Sequence, residues 1–384
     1  MGRVVKVDGA WITAAPSQAI MAMLGEAGHV AYFVGGCVRN SMLNHPVSDI
    51  DISTDAPPET VVNLAEVCGL RAIPTGIDHG TVTVVVEDIP HEVTTFRKDV
   101  ATDGRRAVVA FSKDITEDAL RRDFTMNALY ADADGTVIDP LSGLSDLRSR
   151  RVRFIENAAT RIKEDYLRIL RFFRFHAWFG DPEAGLDPDG LAACAELADG
   201  IAQLSKERIG AEMIKLLAAP DPAPSVAAMR SAGVLAQVLP GADDKFLAPL
   251  VHLEAERAPS PVRRLAVLGG EDAAMSLRLP KSEAKQLGLL RDEMGAMSPS
   301  HELGYRHGVG TGYDVLLLRS VLSQTAVRDK DIDDLTKGED AVFPVSASDL
   351  MPEYDGRALG QKLKELERAW IASAFQLTKA DLLS

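Results

Sequence analysis

Residues 49–53 read Asp-Ile-Asp-Ile-Ser. In an extended chain of period two, Asp49 and Asp51 leave one face while Ile50 and Ile52 leave the other. Two converging carboxylates are the donors that a hard divalent cation such as magnesium takes, usually together with substrate phosphates. Just upstream, the apolar run Val30, Ala31, Tyr32, Phe33, Val34 delivers Gly35 and Gly36, where the missing Cβ lets backbone approach a ligand. A helix start follows, with Arg39 one turn in, and its free N–H groups and partial positive charge suit phosphate oxygens. Acids beside a phosphate cradle point to metal-assisted chemistry on nucleotides.

A second constellation lies at Glu164 to Phe175, helical by pattern, where Asp165, Arg168, Arg171 and Arg174 are successive i, i+3 neighbours. The row winds around the helix as it climbs ~13 Å at ~1.5 Å per residue, about the length of a nucleotide. Different arginines can then meet base, triphosphate and primer phosphate. Cytosine and adenine both present an amino donor beside a ring-nitrogen acceptor, whereas uracil and guanine present a carbonyl beside a ring N–H. A carboxylate only accepts and a guanidinium only donates, so Asp165 with Arg168 would take C and A and reject U and G. One buried mispaired group costs ~1–3 kcal/mol, so two together give discrimination on the order of a thousandfold.

These residues need elements to hold them. Ile20, Met23 and Leu24 have helical spacing, and Ala56-Pro57-Pro58-Glu59 turns into a second helix with Val61, Val62, Leu64 and Ala65, ending near Gly69. Gly80 to Val86 and His91 to Phe96 read as the strands of a hairpin, the second bearing Glu92 on the face of Thr94. Asp99 to Asp118, polar and with a glycine, Arg105, Arg106 and Lys113, is expected to be a mobile loop over the site. In Arg121-Arg122-Asp123-Phe124-Thr125-Met126-Asn127-Ala128-Leu129, Asp123 is expected to pair with and aim a neighbouring guanidinium. Arg122 can then hold a triphosphate or ribose by a forked pair of hydrogen bonds, and Asn127 suits a sugar hydroxyl. The turn Asp139 to Leu147 has structural acids, and Ser205 is the expected cap of a further helix. From Pro220 onward the chain is Ala- and Leu-rich with helical periodicity, and His252, His301 and His307 lack metal-ligand spacing.

In this order the strings resemble the bacterial (class II) tRNA nucleotidyltransferase and poly(A) polymerase family, one of the DNA polymerase β-like nucleotidyltransferases. The resemblance is carried by Gly35-Gly36 with Asp49 and Asp51, Glu92-Val93-Thr94-Thr95-Phe96-Arg97, Arg121 to Ala128, Asp139-Pro140 to Asp146-Leu147, Glu164-Asp165 with Arg168, and Ser205 to Glu212, spanning about residues 32 to 217. It implies an α+β fold: a polymerase β-like head over residues 1–147, an all-α neck over 148–218, and a helical body and tail over 219–384 that grip RNA. It implies template-independent addition of CCA to tRNA 3′ ends from CTP and ATP, with release of pyrophosphate. The implied site has Asp49 and Asp51 as Mg2+ ligands and Glu92 as a third catalytic acid. Gly35, Gly36, Arg39, Arg122, Asp123, Asn127, Asp165, Arg168, Arg171 and Arg174 would bind the nucleotide, and Ser205 to Glu212 would be scaffold. A poly(A) polymerase shares every motif and stays an alternative, with the lack of a long basic C-terminal tail favouring tRNA. A non-catalytic RNA-binding relative is a second, against which intact Asp49, Asp51 and Arg122 speak; a glycosyltransferase using Asp-x-Asp leaves the arginine row unexplained. Two residues depart from the pattern. Asn40 stands where the family usually has an Asp and cannot pair as an anion with a guanidinium, and Asn44 replaces a customary glycine.

Composition bounds the rest. At 384 residues two or three domains are expected, with 46% hydrophobic and 26% charged residues, as in globular proteins. A net charge of −14 repels phosphate at long range, so RNA binding needs a local basic patch. Arg148 to Arg174 supplies one, nine Arg and Lys against three acids. No run of ~18 uncharged apolar residues predicts a membrane span, and the N-terminus lacks an apolar signal core. Cys37, Cys68 and Cys194 are too few and scattered for a disulfide framework or zinc knuckle, which points to the cytoplasm. The oligomeric state is left open.

Overall fold

The computed structural model describes residues 4–103, 106–255 and 257–384. The chain separates into two units, Met1–Val238 and Leu239–Ser384. The first carries a sheet, the second is built from helices among the described residues.

The strands of the first unit are β1 (Ala31–Val34), β2 (Asp51–Thr54), β3 (Arg71–Gly76), β4 (Thr81–Val86), β5 (Ile89–Thr95), β6 (Arg97–Asp103), β7 (Arg106–Phe111), β8 (Tyr130–Ala131) and β9 (Val137–Ile138). One mixed sheet runs β3-β4-β5-β2-β1-β8-β9, and β6 with β7 form a separate hairpin. Period-two patterning sets which face each residue takes. Phe33, Ile52, Val82, Val84 and Val93 are fully buried, as are Ile20, Leu24, Val61 and Ala65 of the helices Ala15–Glu26 and Pro58–Val67 that cover the sheet. The same alternation sends Asp51 and Glu92, paired in register across the parallel strands β2 and β5, to the opposite face. The hairpin expected from β4 and β5 is present, and Glu87 and Asp88 at its turn both have positive φ (50° and 62°), as a two-residue turn matching strand twist requires.

Two local expectations are corrected. The segment Asp99 to Asp118 is the hairpin β6–β7 and then the helix Ile115–Leu120 rather than a mobile loop; Gly104 and Arg105 lie outside the described residues. The apolar run Ala107 to Phe111 suits a strand, and the polar residues around it obscured that pattern. The arginine row is also not one helix. The helix Ala158–Glu164 ends, Asp165 is extended (φ −156°, ψ 106°), and a new helix, Leu167–Phe179, begins. Asp165 Oδ1 accepts from Leu167 N at 3.0 Å, so a polar side chain that competes for backbone N–H groups marks the break.

In the second unit the long helix Ser300–Ser323 is interrupted at Gly308 (φ 77°, ψ 164°). Its core includes a buried charge cluster in which Glu254 accepts from Arg263 at 2.8 Å and Arg264 at 2.7 Å, and Asp314 from Arg263 at 2.7 Å. No helix among the described residues is long and apolar enough to cross a membrane.

Candidate active site

A cavity of about 540 Å³ opens in the first unit, within the range of small-molecule sites. Gly35, Gly36, Arg39, Arg122, Asp123, Asn127, Asp165, Arg168 and Arg171 line it together with Asp51. The expected residues Asp49, Glu92 and Arg174 do not. Arg97, Arg121 and Arg208 do, and were not expected.

At the glycine turn Gly35 adopts φ 69°, and a Cβ there would sit 3.4 Å from Arg122 Nη1 and 3.6 Å from the Asn127 carbonyl. The helix Gly36–Met42 follows and buries Arg39. Asn40 Oδ1 accepts from Arg39 Nε at 3.1 Å and Nη2 at 2.8 Å, and Asn127 Oδ1 accepts from Nη1 at 2.5 Å. A neutral amide oxygen at residue 40 thus accepts twice from the Arg39 guanidinium without pairing as an anion. Phe179 lies 4.1 Å under the guanidinium as a cation–π partner. Burial, with Arg174 and Arg171 nearby, lowers the Arg39 pKa to about 10, against the pull of Asp123. Asn44 has φ 56°, a left-handed conformation that glycine favours and Asn tolerates, which accounts for that exchange.

The string at 121–129 is arranged differently from the expectation. Asp123 does not aim Arg122; it accepts from Arg171 Nε at 2.7 Å and from Asn127 Nδ2 at 2.8 Å. Arg122 is held by Asp118 Oδ2 at 3.0 Å, Tyr130 Oη at 3.2 Å and Ser53 Oγ at 3.3 Å. Asp118 is fully buried, and its other oxygen takes Arg121 Nε at 2.8 Å while Tyr130 Oη donates to Oδ2 at 2.7 Å. Burial alone would raise both carboxyls. For Asp118 the neighbours Arg122 and Arg121 outweigh it, for Asp123 Arg171 and Asn127 do, and both pKa values fall to about 2.

A folded pKa below the unfolded value near ~4 means that these acids stabilise the fold fully above that pH and progressively less as pH falls toward 2. The melting temperature is therefore expected to drop between pH 5 and pH 3. D118N should cost ~3–5 kcal/mol at pH 5, because it removes the anion that balances the half-buried guanidinia of Arg121 and Arg122, and should flatten that drop. Thermal melts of both proteins across this range check it, and an unchanged slope in D118N contradicts it.

On the acidic face β2 begins at Asp51, because Asp49 and Ile50 lie ahead of the ladder. Asp49 is exposed and accepts from Ser48 Oγ at 3.1 Å. Asp51 is half-buried, and burial, then the charges of Glu92 and Asp49, raise its pKa to about 6 despite Arg122. Carboxylates that repel one another beside a cavity fit a divalent cation. No group of three or more His, Cys, Asp or Glu among the described residues is placed to hold one alone, so a cation here would need substrate oxygens beside the carboxylates.

Across the cavity, Asp165 Oδ2 accepts from Arg208 Nη2 at 2.6 Å. Arg168 donates from Nη1 to Arg161 O at 2.8 Å and Glu164 Oε2 at 2.5 Å, and from Nη2 to Arg121 O at 3.1 Å. Of five guanidinium N–H groups, three are thus engaged among the described residues, and the Asp165 carboxylate has about four acceptor sites of which two are taken. Acceptor and donor capacity remain for one base edge. Arg174 instead pairs with Glu212 at 2.6 Å, away from the cavity.

The Poly A polymerase head domain model matches residues 31–153, and the model for the probable RNA and SrmB-binding site of polymerase A matches residues 185–246. The mitochondrial CCA tRNA nucleotidyltransferase 1 of Danio rerio is 35% identical over 372 residues, covering 91% of this chain and 85% of that protein. The chain belongs to the CCA-adding tRNA nucleotidyltransferase family. The CCA-adding enzyme of Streptococcus sanguinis is 34% identical over 380 residues, covering 91% of each chain. A solved CCA-adding enzyme of Bacillus stearothermophilus, in complex with CTP, superposes with a TM-score of 0.75 at 30% identity, over 93% of this chain and 92% of that one.

As a CCA-adding family member the protein is a nucleotidyltransferase with a mixed-sheet head and a helical remainder, as the resemblance implied. Enzymes of this kind generally use a divalent metal. Sequence reasoning missed Asp118 and Tyr130, though Asp118 stands three and four residues before Arg121 and Arg122, a spacing at which helical side chains meet. It also gave Arg208 to the scaffold. Asp139, by contrast, is structural as expected, accepting from Gly143 N at 2.7 Å and Leu144 N at 2.9 Å. Ser205 occupies the N-cap position but makes no side-chain cap bond.

Proposed function

We propose that this chain adds C, C and A to the 3′ ends of tRNA, taking CTP and ATP in turn at one protein-templated site and releasing pyrophosphate. The observation that supports it is that Asp51 and the pair Asp165 and Arg168 line one cavity of nucleotide size, whose wall also includes Arg39, Arg122 and Arg171. Asp165 accepts from the exocyclic amino group and Arg168 donates to the ring nitrogen, so C and A are accepted and U and G are not. Arg39 and Arg122 bind the triphosphate with the Gly35-Gly36 turn; Asn127, itself tied to Asp123, orders Arg39, Asp123 orders Arg171, and Asp118 orders Arg122. Arg174 sets the helix through Glu212. Mg2+ held by Asp49, Asp51 and phosphate oxygens would supply Lewis-acid activation of the RNA 3′-hydroxyl and of the leaving pyrophosphate, with Glu92 as the third acid.

Residues 1–147 act as head, 148–218 as neck, and 219–384 as body and tail that hold the tRNA, in the cytoplasm. Purified protein with tRNA lacking its terminus is expected to add CCA from CTP plus ATP in the presence of Mg2+, and to stop when the metal is chelated. Extension of any RNA by A alone would favour the poly(A) polymerase alternative.

A further inference from the structure

Arg208 belongs to the helix Lys206–Leu217, yet its guanidinium reaches the cavity wall and donates to Asp165 Oδ2 at 2.6 Å. We propose that Arg208 is a positioning residue for base selection, fixing the Asp165 carboxylate in the orientation from which it meets a nucleobase amino group. The inference rests on the reading of Asp165 and Arg168 as the base-selecting pair.

Asp165 needs such a device. It lies between two helices in extended backbone, and its side chain is 30% exposed, so neither helical geometry nor close packing sets its rotamer. One oxygen is tied to Leu167 N, two residues along the same chain, which still lets the carboxylate swing about that contact. The second tie comes from a different element and removes that freedom.

The element carrying Arg208 is itself locked to the arginine helix. Glu212 accepts from Arg174 at 2.6 Å, and Lys215 O accepts from Trp178 Nε1 at 2.8 Å. Arg208, Glu212 and Lys215 are spaced i, i+4, i+7, on one face of their helix, and meet Asp165, just ahead of the other helix, and then Arg174 and Trp178 on it, in the same order. Packing between two helices is thereby converted into the aim of one carboxylate.

The pairing has a second effect. A guanidinium in the cavity offers only donors, which would welcome the carbonyls of uracil and guanine. Engaged by Asp165, the Arg208 Nη2 is turned to the protein instead.

The test measures kcat/KM of the full chain for each of the four nucleoside triphosphates with tRNA lacking its terminus. R208A is expected to raise UTP use relative to CTP by about tenfold or more, the scale of one mis-set hydrogen bond. The KM for tRNA should stay unchanged, and R208K should be intermediate. A general structural defect would lower all four rates together and leave the ratio at its wild-type value. D165N in the same assay separates the two levels. If D165N relaxes the ratio while R208A and R208K keep it, positioning by Arg208 is wrong and the base-selecting pair stands. If none of the variants changes the ratio, the base-selecting pair itself fails and the inference with it. R208K decides the matter should R208A not fold.

Discussion

Replacement of Asp51 by Asn is expected to lower kcat for nucleotidyl transfer by about a thousandfold or more while the melting temperature rises. The two effects have one cause. Asp51 lies beside Glu92 in register across β2 and β5, and burial with the like charges of Glu92 and Asp49 raises its pKa to about 6. A carboxyl raised above its unfolded value near ~4 prefers its proton in the folded state, so ionisation costs stability as pH rises from about 4 through 6. In the proposed function that anion is the ligand of a divalent cation, whose charge would relieve the repulsion. An amide of the same shape relieves the repulsion but is a poor metal ligand, and loss of several kcal/mol of charge stabilisation is a factor of at least a thousand at ~1.4 kcal/mol per tenfold. Single-turnover transfer, CTP binding and thermal melts at pH 7 check this together. Undiminished transfer in D51N would remove the metal-site reading, and a lowered melting temperature would remove its electrostatic basis.

The second large effect concerns which nucleotide is used. Asp165 presents oxygen acceptors only, whereas D165N offers an acceptor and a donor and can satisfy either class of base by turning its amide. Preference for CTP and ATP over UTP and GTP is expected to fall from the order of a thousandfold to about tenfold, most of it through better use of the wrong nucleotides. Competition assays with pairs of labelled nucleotides measure the ratio. A D165N enzyme with wild-type selectivity contradicts the protein-template reading.

How far the sequence disclosed this site depended on whether each interaction was local. The period-two strand predicted that Asp51 leaves the face opposite Ile52, and fixed period explains why that inference is secure once Ile52 is buried. The limit of the strand was less legible, since β2 starts at Asp51 and leaves Asp49 outside the ladder. Partner choice was the harder problem. Asp123 neighbours Arg122 in sequence, but adjacent residues do not face one another, and it pairs instead with Arg171, 48 positions away. That choice frees Arg122 for Asp118 and Tyr130, whose ties depend on tertiary packing around a fully buried carboxylate. The helix break at Asp165 was hidden because Arg161 and Ile162 before it and Arg168 and Ile169 after it continue the helical period on both sides. Arg174 and Arg208 exchanged their expected places for a related reason. The row of arginines winds as it climbs, so its far end turns to Glu212 while the neighbouring helix sends its own guanidinium into the cavity.

The central claim is that a carboxylate and a guanidinium read the base in the cavity that the metal-side acid also lines. A crystal structure of this chain with CTP tests it most directly. The expected result is cytosine N4 donating to Asp165 and cytosine N3 accepting from Arg168, with the triphosphate between Arg39 and Arg122. Bound CTP whose base lies beyond ~3.5 Å of both Asp165 and Arg168 would contradict it.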